Sequence, residues 1–252
     1  MKEFKVHYTK DLSIFKFHVV NRDILNKSSQ NRIERISESM KKELKKHPII
    51  VTSKMIVVDG QHRVEAAKKA GCGIYYIIDE SVPNTAKGIF DAAKEFNKNA
   101  KEWSKKDYID GYANQGNESY QKLMEFSEKY PMFSLTERLM LLQNSGTKHA
   151  NKKEFSDGKF TVKNINTAEK WANYLLELKP YFEKGYNRSN FVRTILTIME
   201  KKKGFKFEEF LHKVKLRPGS IFLCGDKRAY SMMIEDIYNY RRRNEEKISL
   251  RL

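Results

Sequence analysis

The densest chemistry in the chain lies in Val57-Val58-Asp59-Gly60-Gln61-His62-Arg63. This string passes from a strand-like apolar pair into a helix-like segment with no loop between. At such a junction the backbone N–H groups of Gly60 to Arg63 open a helix, whose partial positive charge favours an anion. A glycine at 60 lets a phosphate approach the backbone closely. Arg63 can add a bidentate charged contact. His62 can donate to a phosphate oxygen or shuttle a proton. The plainer alternative makes Asp59 a simple N-cap on a solvated first turn, which is common at such positions.

The elements that must position this string read as α/β over the first hundred residues. Phe15–Val20 is a strand candidate. Ile33, Ile36, Met40 and Leu44 mark one face of a helix over about 29–45. Pro48–Thr52 and Met55–Val58 are short β-rich runs split by Ser53-Lys54, a hairpin pattern. A helix from Gly60 to about Ala70 ends at Gly71, a strand follows over Gly73–Ile78, and Pro83–Asn97 reads as helical.

Beyond residue 100 the pattern is mostly helical. Ser104–Ala113, Ser119–Lys129 and Ser134–Leu142 each open with a serine suited to an N-cap. Glu154–Val162, with Asp157-Gly158 at its centre, predicts a small β-hairpin. Further helical stripes run through Ala168–Leu178, Phe191–Ile198 and Tyr230–Tyr240. The tail from Arg241 onward is basic and expected to be partly disordered. These patterns divide the chain into an α/β domain over 1–100 and a mostly helical domain over 101–252.

Charge narrows the partners. The 252 residues hold 49 Lys and Arg against 32 Asp and Glu, a net charge of +17. Segment 201–252 alone carries as much net positive charge as segment 1–100. A basic chain of this kind favours polyanions, with DNA first. Lys201, Lys202, Lys203, Arg241, Arg242 and Arg243 are the candidate DNA contacts. The competing view makes these Lys and Arg runs a solvated surface.

No apolar run approaches the ~20 residues of a membrane-spanning helix, and no signal-peptide core is legible, so no membrane partner is expected. Cys72 and Cys224 stand alone, which fits a reducing, cytoplasmic compartment and argues against a cysteine-based zinc site. A glycine-lysine P-loop and a dinucleotide GxGxxG are absent. Asp59, Glu65, Asp79, Glu80 and Glu95 are the acids from which a phosphate-borne Mg²⁺ could draw one or two ligands.

Several of these strings fall in a familiar order. Asn21-Arg22, an amphipathic helix with Ile36-Ser37-Glu38-Ser39-Met40, Pro48-Ile49-Ile50-Val51, Val57 to Arg63 and Ala66-Ala67 together resemble the N-terminal domain of the ParB family. That family shares its fold with sulfiredoxin and with ParB-like serine kinases. The resemblance covers roughly residues 12–100. It implies a ParB/sulfiredoxin-like α/β domain that binds a nucleoside triphosphate, CTP or ATP, with Mg²⁺.

On that match the phosphate-binding residues are Arg22, Asp59, Gly60, Gln61, His62, Arg63 and Asn97. Phe96-Asn97-Lys98-Asn99 looks similar to a second family motif, in which Asn97 would help hold the metal–triphosphate. Gln61 stands where sulfiredoxin needs a cysteine, which argues against sulfinic-acid reduction. Gln61-His62-Arg63 and Ala100 depart from the ParB pattern, so the choice between CTP and ATP stays open. The Ser119–Leu142 region, with Leu135-Thr136-Glu137-Arg138, lies where ParB proteins carry a helix-turn-helix, with the Phe155–Phe160 hairpin as a basic wing; the alternative is an all-α core with an edge hairpin.

The resulting expectation is nucleotide-regulated DNA binding of the partition, phage or mobile-element type, with a homodimer compatible. The alternative is an enzyme using the same pocket: a Mg-dependent nuclease, a nucleoside triphosphatase or an ATP-dependent phosphotransferase.

Overall fold

A computed structural model describes residues 5–21, 24–43, 47–96, 103–147 and 152–252. The chain forms two compact units, Met1–Asn117 and Glu118–Leu252.

The first unit is built on four strands, β1 (Val6–Thr9), β2 (Ile49–Val51), β3 (Val57–Asp59) and β4 (Ile74–Ile78). Their order is β1-β4-β2-β3. β4 is antiparallel to β1 and parallel to β2, while β2 and β3 are antiparallel. The β2–β3 turn closes through the Met55 N–H donating to Thr52 O at 2.9 Å. β1 lies outside the sequence expectation, because its outward residues Val6 and Tyr8 are exposed and give no core-like alternation. The expected strand over Phe15–Val20 is instead an irregular segment holding one bridge, Lys16 to Ile56.

Alternation along β2 divides the core into two layers. Ile49 and Val51 pack with α1 (Lys27–Lys42) and α2 (Gln61–Ala70) through Ile33, Met40, Val64 and Ala67. Ile50 and Val58 instead join α3 (Ala86–Phe96) through Ile89, Phe90 and Ala93. The Asn26 side chain caps α1 by accepting from the Ser29 N–H at 2.9 Å. Gly71, at φ 67°, ends α2 in the left-handed conformation that favours glycine.

α4 (Lys105–Asn114) also belongs to this unit, which therefore extends past the boundary expected at 100. Phe90 is the reason. It meets Trp103 edge-on at 4.9 Å and lies 4.8 Å from Tyr112. A Cβ on Gly111 of α4 would come within 2.1 Å of the same Phe90 ring.

The second unit is all-helical among its described residues. It comprises α5 (Glu118–Lys129), α6 (Leu135–Leu142), α7 (Lys152–Ser156), α8 (Ile165–Leu178), α9 (Ser189–Lys201), α10 (Phe207–Leu216) and α11 (Lys227–Tyr238). The β-hairpin expected over 154–162 does not form. Residues 152–156 make the short helix α7 instead, and Gly158, at φ 74°, terminates it. The Lys159 N–H donates to Glu154 O at 2.9 Å, a bond that closes a helix end.

The tail is ordered and packed, contrary to the expected partial disorder. Leu250 is buried, and its N–H donates to Glu235 Oε2 at 2.7 Å. Asn239 exchanges two hydrogen bonds with the Ile248 backbone, at 2.8 and 3.0 Å. Arg242 pairs with Glu209 at 2.7 Å.

Two carboxylates hold this tail region, and both ionise more readily than usual. Burial pushes Glu209 up, but the Arg242 hydrogen bond and charge outweigh it and leave a lowered pKa. Burial likewise opposes ionisation of Glu235, and the Leu250 N–H, Arg251 and Ser249 outweigh it. A lowered folded-state pKa adds stability above the unfolded value, and that stability is lost as pH falls through the folded value. Thermal melting should therefore weaken as pH drops below the ordinary glutamate value of about 4.3. The double variant Glu209→Gln/Glu235→Gln should show a smaller drop between neutral and acidic buffer than the parent protein.

Candidate functional site

A cleft of about 670 Å³ opens at the β3 edge of the sheet. This volume lies in the ordinary range for small-molecule sites. The expected string supplies its floor, since Val58, Asp59, Gly60, Gln61, His62 and Arg63 all line it.

The strand-to-helix junction is as tight as the sequence implies. β3 ends at Asp59, Gly60 is the N-cap and α2 begins at Gln61. Gly60 sits at φ 101°, and no side chain caps the helix. The Arg63 N–H turns back to Gly60 O at 2.8 Å, as does that of Val64 at 3.1 Å. Asp59 is therefore not the N-cap of the plainer reading. Its carboxylate instead accepts from Arg63 Nη2 at 2.6 Å.

Arg63, which lines the cleft, is also bound into the fold. Its Nη1 donates to His47 O at 3.0 Å and to Pro48 O at 2.8 Å. Three hydrogen bonds thus tie the α2 start to the entry of β2 and to the end of β3. A guanidinium has five N–H donors, so two of its N–H bonds remain for a ligand.

The rest of the wall comes from both helix layers. From α1, Arg32, Arg35, Ile36 and Ser39 recur at helical spacing along the cleft. Arg32 and Arg35 are exposed and take part in no ion pair among the described residues. In the sequence alone, two arginines on an amphipathic helix look like its solvated face. From the α3 side come Ala93, Phe96 and Trp103, which are apolar. The cleft therefore joins a cationic wall to an apolar, partly aromatic one.

Asn21 also lines the cleft. Its Nδ2 donates to Val57 O at 2.7 Å, which fixes the amide orientation. Its Oδ1 is buried without a hydrogen-bond partner among the described residues. A buried acceptor in that state is costly unless a donor arrives to meet it.

Of the acids considered for a metal, Asp59 alone lines the cleft. Glu65 pairs with Lys68 at 2.7 Å, and Asp79 accepts from the Ser81 N–H at 3.0 Å. Glu80 and Glu95 are exposed. Among the described residues no cluster of three His, Cys, Asp or Glu could hold a metal ion. The donor set fits an anion, and a Mg²⁺ here would be held chiefly by that anion's own oxygens. Arg22 and Asn97 lie outside the described residues.

In the second unit the candidate DNA contacts separate. Lys201 closes α9, and Lys202 and Lys203 follow it. Lys201 and Arg193 lie close enough to Lys227 to help lower its pKa, behind the larger effect of burial. Arg242 is held by Glu209 and lies over the Tyr238 ring at 4.4 Å. Arg241 and Arg243 are exposed.

The segment expected to carry a helix-turn-helix is engaged structurally. Ser134 and Glu137 form a capping box at the start of α6. Buried Glu137 also accepts from Ser189 Oγ, and Arg138 donates to Tyr130 O and Pro131 O. The next described helix after α6, α7, spans five residues.

No helix among the described residues is long and apolar enough to cross a membrane. No family model matches the chain, and no curated protein matches it. Among solved structures it is similar to a Pnob8-like ParB-N domain, at 15% identity and a TM-score of 0.35. That superposition covers 94% of this chain and 100% of the other. So loose an overlap does not order residue against residue, and the cleft is read from its own geometry.

Proposed function

We propose that the first unit binds a nucleoside triphosphate, CTP or ATP, together with Mg²⁺, and that this binding regulates DNA binding by the chain. The observation that carries the reading is the two-sided cleft. Arg32, Arg35, His47, His62 and Arg63 gather around an uncapped helix start, beside Val58, Ala93, Phe96 and Trp103.

Such a wall pair suits a ligand with an anionic end and a flat, weakly polar end. Phosphates would meet the helix start and the α1 arginines. A base would lie against the apolar side, and the Asn21 acceptor suits an amino or hydroxyl group on base or sugar. Asp59, the carboxylate lining the cleft, is held by Arg63, which favours a binding role over hydrolysis.

The test is calorimetric titration of the full chain with each of the four nucleoside triphosphates and Mg²⁺. Arg32→Gln/Arg35→Gln should bind the preferred nucleotide at least ~10-fold more weakly, because each hydrogen bond to a charged group contributes about 1.5–3 kcal/mol. Both residues are exposed, so the variant should melt like the parent. Absence of binding by all four nucleotides, or unchanged affinity in the double variant, would sink the reading. The companion measurement is duplex DNA affinity with and without the bound nucleotide. Equal affinities would remove the regulatory link.

A further inference from the structure

We propose that Arg217, Arg241 and Lys213, gathered around Tyr240, form the surface through which the second unit holds the phosphate backbone of duplex DNA. The proposal rests on the DNA-binding half of the function above and adds where the contact is made.

Two guanidiniums from different elements converge on one ring. Arg217, the C-cap of α10, places Cζ 4.6 Å from the centre of the Tyr240 ring. Arg241, beyond the end of α11, places its Cζ 5.2 Å from the same centre. Lys213 of α10 donates from Nζ to Tyr240 O at 2.8 Å. Arg241 holds a left-handed backbone, at φ 57°, which non-glycine residues seldom adopt.

Arg217 and Arg241 are exposed, and neither enters an ion pair among the described residues. The acid that acts on Lys213 is Glu209, and Glu209 is already paired with Arg242. Lys215 and Arg243, each exposed and two residues from a member of the group, add to the same sign.

A helix C-terminus attracts cations, so Lys213, Lys215 and Arg217 alone could be no more than dipole partners of α10. The end of α11, capped at Asn239 two residues before Arg241, attracts a cation in the same way, but neither helix end accounts for both guanidiniums meeting on one tyrosine ring. Arg217 and Arg241 meet on that ring with no ion-pair partner among the described residues, which leaves both guanidiniums open to a polyanion. Stacking on tyrosine holds a guanidinium in place while leaving its edge N–H groups for phosphate oxygens. B-DNA presents a charge for every ~1.7 Å of its axis, dense enough to meet both arginines at once. Contacts of this kind position a protein on the duplex without specifying sequence.

The test measures binding of the full chain to two short duplexes of unrelated sequence over a salt series. Each neutralised phosphate contributes about 0.9 to the slope of log K against log salt, so Arg217→Gln/Arg241→Gln should lower the slope by about 1.8. The loss should be the same on both sequences. Arg217→Lys/Arg241→Lys, which keeps the charge, should retain most of the slope. The control is Lys10→Gln/Lys54→Gln, an equal loss of charge at exposed sites elsewhere; its slope should stay near that of the parent.

Failure of the parent protein to bind either duplex at low salt would overturn the DNA reading itself. Binding by the parent with an unchanged slope in Arg217→Gln/Arg241→Gln would overturn this surface alone. An equal drop in the control would do the same, by assigning the slope to bulk charge. A loss confined to one sequence would replace backbone contact with base reading.

Discussion

Gly60→Ala should destabilise the first unit by about 2–5 kcal/mol and abolish ligand binding in the cleft. Two effects add. At φ 101° the backbone lies where a Cβ is strained, at roughly 1–2 kcal/mol. The new methyl would also fall 2.4 Å from Ile49 Cγ2 and 2.9 Å from Ile49 Cβ. Ile49 is fully buried on β2, so it has little room to yield, and overpacking of this kind costs about 1–3 kcal/mol.

The binding loss follows from the same geometry. The Gly60 Cβ would lie 3.2 Å from Arg63 Nε, crowding a donor that makes no hydrogen bond among the described residues. Chemical denaturation of the variant measures the first effect, and nucleotide titration below its unfolding midpoint measures the second. Gly71→Ala is the informative comparison. Gly71 also has positive φ, at 67°, but a Cβ there meets nothing within 4 Å. It should therefore show the strain without the crowding, and bind normally.

Local chemistry made part of this site legible. The junction at residues 57–63 is contiguous, so a strand-like pair, a glycine and polar first-turn residues announce the strand-to-helix turn without any long-range information. α1 was equally plain from its apolar spacing. Its arginines were not, because Arg32 and Arg35 become cleft walls only when α1 packs beside α2, and that packing is tertiary. The Arg63 clamp was hidden for the same reason. Its partners are the carbonyls of His47 and Pro48, and a backbone oxygen carries no sequence signal.

Other features were misread for identifiable causes. Asp157-Gly158 signals a chain reversal, but the left-handed glycine that suits a hairpin also suits a helix end, and α7 takes the second use. β1 is an edge strand with exposed Val6 and Tyr8, so burial never imprinted the alternation that reveals a strand. α10 is absent from the sequence expectation although it carries a helical stripe, Phe207, Phe210, Leu211 and Val214, because the interleaved lysines Lys213 and Lys215 point first to a polyanion partner.

Arg63→Ala should lower the stability of the first unit by about 2–4 kcal/mol, in addition to weakening nucleotide binding. A sequence-level view of Arg63 as a phosphate ligand predicts only the second effect. The structure assigns three of its hydrogen bonds to the fold, and bonds from a charged donor contribute about 1.5–3 kcal/mol each before non-additivity. Its side chain is 24% exposed, so solvent can partly replace what is lost, and the expected total stays well below the simple sum.

Arg63→Lys separates shape from charge. A single ammonium cannot span two carbonyls and a carboxylate in the guanidinium's planar geometry, so it should recover little of the stability while keeping the positive charge for a ligand. Asp59→Asn should lose less than Arg63→Ala, because the bonds to His47 O and Pro48 O survive. Denaturant melts of the three variants should therefore rank Asp59→Asn as the most stable, Arg63→Lys next and Arg63→Ala last. Nucleotide affinity, measured on the folded fraction, should fall most in Arg63→Ala. If Arg63→Ala instead melts like the parent, the clamp contributes nothing to the fold, and Arg63 acts on the ligand alone.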